Sequence, residues 1–130
     1  LVVCVVPRAK AENEYYPNQQ LFRKTVQMVI QRMRGFVDGT DYIRRHTNTK
    51  TTHLPKSTPN YTNDGRDPYP GITEETCGIS PQVKGKDILL IDDIYTPGVN
   101  IDEDAINALF NIGAGTVTFY AVGRVVREYI

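Results

Sequence analysis

The sequence predicts an α/β domain built on a central parallel sheet with flanking helices, and three observations carry that prediction. Residues 88–91, Ile-Leu-Leu-Ile, form a continuous apolar run rather than an alternating one, as a strand covered on both faces requires. Two later stretches carry apolar residues at helical spacing. Strand, helix and strand then follow one another twice along the chain, the order that right-handed crossovers close into a parallel sheet.

Each element has its own signal. Residues 1–6, Leu-Val-Val-Cys-Val-Val, read as a first buried strand that stops at Pro7, followed by a loop over 7–17. A helix is expected over about 18–36, where Leu21, Val26, Val29, Ile30 and Met33 recur at helical spacing and Gly35 and Gly39 lie near the end. Asn18 is the natural cap for it. A strand is expected at 41–45, then a long polar loop over 46–85, a strand at 87–93, a helix at 99–112 and a last strand at 116–122. In the second helix Ile101, Ala105, Ala108, Leu109 and Ile112 make the apolar stripe, and Gly113 is its stop.

The chain of 130 residues, 40% hydrophobic, has the size of one domain spanning 1–130. Fifteen basic and fifteen acidic residues leave a formal net charge of zero, so no global field draws in nucleic acid or an anionic membrane. Residues 1–6 are too few to span a bilayer and have no basic residues before them. Because the chain starts inside a strand without an initiator Met, an upstream segment is left open as an expectation. Cys4 falls in an apolar strand and Cys77 in a polar loop. Two cysteines make neither a zinc cluster nor a disulfide scaffold, a single bridge stays open, and a reducing cytoplasm is the default expectation.

The chemistry concentrates at residues 88–100. The buried run delivers Asp92 and Asp93 to the carboxyl edge of the sheet, where open α/β sheets bind ligands. The next turn feeds Thr96, Pro97, Gly98, Val99 and Asn100 into a helix start, whose free N–H groups favour a phosphate. Paired carboxylates accept hydrogen bonds from the vicinal hydroxyls of a ribose and can hold a hydrated Mg²⁺. Gly98 permits backbone conformations closed to other residues, and Thr96 and Asn100 offer side-chain donors. Taken singly, an Asp pair that ends a strand and an Asn that caps a helix are commonplace; the ordered combination carries the signal.

This stretch, Leu89-Leu90-Ile91-Asp92-Asp93-Ile94-Tyr95-Thr96-Pro97-Gly98-Val99-Asn100, resembles the phosphoribosyl pyrophosphate (PRPP) signature of type I phosphoribosyltransferases. The resemblance implies a type I phosphoribosyltransferase-like core, with Asp92 and Asp93 on the ribose hydroxyls and, through water, on Mg²⁺. Residues Thr96, Pro97, Gly98, Val99 and Asn100 would wrap the 5′-phosphate. Two positions depart from the pattern: the loop's second place, commonly Thr or Ala, is Pro97, which has no N–H to donate, and its final Thr or Ser is Asn100.

Arg8, Ala9 and Lys10 leave the same edge of the sheet after the first strand. Alone they read as solvated cations around a small residue. Beside the motif they resemble the family's pyrophosphate loop, with Arg8 as a fork of donors and Lys10 as a point charge. The long loop brings Arg44, Arg45, His46, Lys50, His53, Lys56 and Arg66, a basic neighbourhood that suits a flap closing over pyrophosphate, with Arg45 among its ligands. The plain alternative is a surface insertion. His46 and His53 have no metal-ligand spacing. Segment 17–21 and the order of Arg45, Thr49, Thr52 and Leu54 loosely resemble competence-associated ComF-type members of the family.

The resemblance implies displacement at the ribose anomeric carbon by a base or amine, with pyrophosphate leaving as its Mg²⁺ complex; Asp92, Asp93, Arg8 and Lys10 would be the catalytic groups. A homodimer is compatible with such folds. The acceptor cannot be read, because no hood for a nucleobase is evident; an acceptor contact by Arg124 competes with a plain edge-strand role. Three readings therefore stand: a phosphoribosyltransferase, a non-catalytic module sensing PRPP or a nucleotide, and a ComF-like factor in DNA uptake or processing, against which the neutral charge argues.

Overall fold

A computed structural model describes residues 1–8, 20–46, 72–73 and 76–126. Nine elements follow in chain order: β1 (Val2–Val5), α1 (Leu21–Gln31), β2 (Val37–Asp38), β3 (Ile43–Arg45), β4 (Cys77–Ile79), a 3-10 turn (Pro81–Val83), β5 (Asp87–Tyr95), α2 (Ile101–Ile112) and β6 (Thr116–Arg124). Four strands form one sheet in the order β2-β1-β5-β6, and every neighbouring pair is parallel. The expected α/β class and parallel sheet are present.

The sheet centres on β1 and β5 because their sequences are apolar without interruption. All four residues of β1 are buried, and it pairs with β5 from Val2↔Ile88 to Val5↔Ile91. On one face Val2, Cys4, Val6, Ile88 and Leu90 pack with Ala105, Ala108 and Leu109 of α2 and with Val117 and Phe119 of β6. Burial of each large side chain here is worth roughly 1.5–3 kcal/mol. Val3 and Val5, on the opposite pleat, are buried too, so β1 is covered on both faces. Gly113 ends α2 as expected, its N–H returning to the Leu109 and Phe110 carbonyls.

Three boundaries differ from the sequence expectation. The first helix is shorter than 18–36: after Gln31 the N–H groups of Arg32 and Met33 turn back to the Val29 and Ile30 carbonyls, and Gly35 takes a positive φ of 88°. The expected Asn18 cap lies outside the described residues; Gln20 holds the cap position without a side-chain bond.

The strand expected at 41–45 is not the sheet neighbour of β1. That place belongs to β2, two residues long, after which the Asp38 carboxylate accepts from the Thr40 N–H and hydroxyl and turns the chain away. Gly39 makes this possible: a Cβ there would lie 2.7 Å from Val2 Cγ1 and 2.9 Å from the Val3 carbonyl oxygen. Ile43–Arg45 instead forms an antiparallel ribbon with Cys77–Ile79.

The loop expected over 46–85 is correspondingly shorter at its far end. Cys77 sits in β4 rather than in a polar loop, and Ile72, Cys77 and Val83 all belong to the core. Both cysteines are buried free thiols. Burial, with the charge of Asp38 second, pushes the Cys4 thiol up to about 12, which keeps it protonated and unreactive. Among the described residues no helix is long and apolar enough to cross a membrane.

Candidate functional site

The strand order reverses direction between β1 and β5. From β1 the chain winds to β2 on one side, and from β5 it winds to β6 on the other, so the loops leaving the carboxyl ends of β1 and β5 diverge. This is the switch point at which open α/β sheets bind ligands. Residues 7–8 and 92–100, parts of the two segments singled out in the sequence, leave from it.

The strand of the acidic pair differs in one respect from expectation. β5 does not stop at 93 but runs to Tyr95, pairing with β6 through Asp92↔Ala121, Ile94↔Gly123 and Tyr95↔Arg124, whereas its pairing with β1 stops at Ile91. Asp92 and Asp93 lie within the strand, as the expected 87–93 has them, and the strand outruns that expectation by two residues. The last bond toward β1 runs from the Val6 N–H to the Ile91 carbonyl. Beyond it the carboxylates supply the acceptors themselves: Asp92 Oδ1 takes the Asp93 N–H at 2.8 Å, and Asp93 Oδ1 takes the Ile94 N–H at 2.7 Å. These bonds fix both carboxylates at the open flank of β5.

Helix α2 brings a third carboxyl into contact. Asp102, 4% exposed, lies within hydrogen-bond reach of Asp92, and its Oδ1 has no partner. Burial raises the Asp92 pKa far above the usual carboxylate range, and the hydrogen bond and charge of Asp102 and then Asp93 add to it. Burial raises Asp102 as well, against the opposing effect of its bond to Asp92. The two groups hold one proton between them over neutral pH, since two charges in contact at a buried site cannot both persist. Asp102 was not singled out from the sequence; it was visible only as one of three acids, with Glu103 and Asp104, in the first turn of a helix.

The loop 96–100 turns through two residues at positive φ. Gly98 has φ 82° and Asn100 φ 63°, the one non-glycine at positive φ among the described residues. A Cβ on Gly98 would meet nothing within 4 Å, so glycine is required by the backbone conformation and the space above it is open. Asn100 is the cap residue of α2 but makes no side-chain cap bond. Thr96, Pro97 and Val99 are half-buried. Tyr95, at the head of the loop, packs edge-on against Phe119 with centroids 6.0 Å apart, and its hydroxyl donates to Glu103 Oε1 at 2.7 Å.

On the β1 side, Arg8 is half-buried and its carbonyl accepts from Arg45 Nε. Arg45 is only 3% exposed, so its guanidinium is engaged within the fold and ties β3 to the loop after β1. The sequence suggested that these two arginines share a site; the contact that joins them is side chain to backbone. Ala9, Lys10 and the flap cations Lys50, His53, Lys56 and Arg66 lie outside the described residues. The carboxyl-rich side of the crevice is thus Asp92, Asp93 and Asp102, and the basic side begins at Arg8. Arg124 ends β6, the edge strand of the sheet.

Among the described residues no group of three or more His, Cys, Asp or Glu side chains is arranged to hold a metal ion directly. Comparisons with protein-family models, curated proteins and solved structures give no match to this chain.

Proposed function

We propose that this chain is a PRPP-binding phosphoribosyltransferase that joins the phosphoribosyl group to a nitrogenous acceptor, a base or an amine, with release of pyrophosphate. The observation that carries the reading is the position of Asp92 and Asp93 on the open flank of β5 at the switch point, with a glycine-bearing loop leading into α2 directly after them. Asp92 and Asp93 accept from the 2- and 3-hydroxyls of the ribose. Thr96, Gly98, Val99 and Asn100 surround the 5′-phosphate, to which Pro97 adds shape but no donor. Arg8 and Lys10, with Ala9 between them, face the pyrophosphate, and Arg45 supports that loop.

In the reaction the bond from the anomeric carbon to pyrophosphate oxygen breaks, its electron pair leaving with pyrophosphate. A nitrogen lone pair forms the new bond from the opposite face, and the nitrogen then loses a proton to solvent. Mg²⁺, held through water by Asp92 and Asp93, would supply neutralisation of the leaving pyrophosphate. The protein contributes positioning and exclusion of water. Two free buried thiols agree with a reducing cytoplasm. The exposed Leu21, Met28 and Val29 on α1 are a surface on which a homodimer could form.

A second reading, a module that senses PRPP without turnover, draws on a specific observation. Asp102, Glu103 and Asp104 crowd the first turn of α2 with negative charge, where a phosphate dianion would otherwise gain from the helix start. The two readings part in one assay: purified protein with PRPP and Mg²⁺, screened against nucleobases and simple amines for pyrophosphate release. Release with any acceptor supports the transferase; PRPP binding with no release from the full panel supports the sensor.

A further inference from the structure

The loop 96–100 is bounded by a residue on each side that the chemistry above does not use. Tyr95 closes β5 and Glu103 lies in the first turn of α2, and the 2.7 Å bond between them joins the two ends of the loop. Tyr95 is itself held against β6, by its ring on Phe119 and by its carbonyl, which accepts the Val125 N–H. The second oxygen of Glu103, Oε2, is buried and has no hydrogen-bond partner. The Glu103 carboxylate is thus held by the Tyr95 hydroxyl, and it lies three residues past Asn100, on the turn that a phosphate in this loop would approach.

We propose that Tyr95 and Glu103 form a clasp that positions the phosphate loop and holds the Glu103 charge against the sheet, so that the loop is open to an anion. This rests on the reading of the loop as the 5′-phosphate site. The clasp acts in two ways. It closes the loop before the ligand arrives, which lowers the ordering cost of binding. It also fixes the position of a carboxylate that, once released, would be free to swing toward the phosphate and repel it. Tyr95 and Glu103 are positioning residues: neither touches the ligand.

The charge argument separates this role from simple loss of structure. Tyr95→Phe keeps the ring on Phe119 and removes only the hydroxyl, and it should weaken PRPP binding roughly tenfold. Glu103→Gln keeps an acceptor for Tyr95 and removes the charge, and should bind PRPP at least as tightly as the parent. In the double variant the neutral amide has nothing to repel, so most of the tenfold loss should be regained.

The test is calorimetric titration of Mg²⁺-PRPP into the parent, the two single variants and the double variant, with melting temperatures alongside. The proposal stands if Tyr95→Phe weakens binding and Glu103→Gln in the same chain restores it. It is overturned, with the 5′-phosphate reading intact, if the parent binds and Tyr95→Phe binds equally well, if Glu103→Gln alone loses tenfold, or if the double variant shows no recovery. If Tyr95→Phe fails to fold, Glu103→Asp decides instead: it keeps the charge but is one methylene too short for the Tyr95 hydroxyl, so it should weaken binding about tenfold, and parent-like binding overturns the proposal. If the parent does not bind PRPP, the functional reading fails, and the clasp with it.

Discussion

The two halves of β5 are held by different neighbours. Ile88–Ile91 runs between β1 and β6, with Ile88 and Leu90 fully buried against α2. Asp92–Tyr95 keeps β6 on one side and has lost β1 on the other; Asp92, Asp93 and Tyr95 are half-buried and Ile94 is exposed. The strand is one continuous piece of backbone, yet the first half is held by apolar burial and the second by β6 and by its own carboxylates. Stability and chemistry are divided at Ile91, where β1 ends.

Breaking the first half should cost most. Leu90→Ala removes a fully buried side chain from the centre of the core and should destabilise by about 2–5 kcal/mol in a denaturant melt. Gly39→Ala attacks β1 from its other edge, through contacts of 2.7–2.9 Å with Val2 and the Val3 carbonyl. A loss of about 1–3 kcal/mol is expected there.

The second half should answer with the opposite sign. The folded-state pKa of Asp92 is raised by burial and by Asp102, so its contribution to stability is fully present below about pH 4 and is lost as pH rises toward the raised value. Asp92→Asn removes that penalty. It should stabilise the protein by about 0.5–2 kcal/mol at pH 8 and by much less at pH 4, while abolishing PRPP binding. Melting curves across pH 4–9 check the sign; equal effects at both ends would contradict the carboxyl pair.

Gly98→Ala sharpens the comparison further, because nothing crowds a Cβ there and the strain is in the positive φ alone. A loss of about 1 kcal/mol in stability is expected, with a larger fractional effect on PRPP affinity. The smallest effect concerns Asp38. Burial raises its pKa, but the bonds from the Thr40 hydroxyl and N–H and from Gln27 outweigh this and hold it below the usual value. Its contribution is present above about pH 4 and is lost as pH falls through the lowered value, so Asp38→Asn should slightly flatten the acid side of the stability profile.

The same division explains what could be read from the sequence. Ile88–Ile91, the α2 stripe and the Gly113 stop announce themselves because each rests on local apolar periodicity. β2 and the β3–β4 ribbon do not: strands of two and three residues carry too little pattern, and Cys77 pairs with Arg45 across a long stretch of chain. In the site, Asp92, Asp93 and the turn at Gly98 were legible as an ordered motif. That β5 runs two residues past the acids, to Tyr95, was not, because that extension rests on pairing with β6 rather than on a local apolar pattern. The contact of Asp102 with Asp92 is set by how α2 packs on the sheet and has no local signature.

The most direct measurement is a calorimetric titration of PRPP into the purified protein, with and without Mg²⁺, repeated on Asp92→Asn combined with Asp93→Asn. The account predicts Mg²⁺-dependent binding in the micromolar range, about −8 kcal/mol, that disappears in the double variant while the fold is retained. Binding that is unchanged in the double variant, or no binding by the parent, would contradict the assignment of the switch-point crevice as a PRPP site.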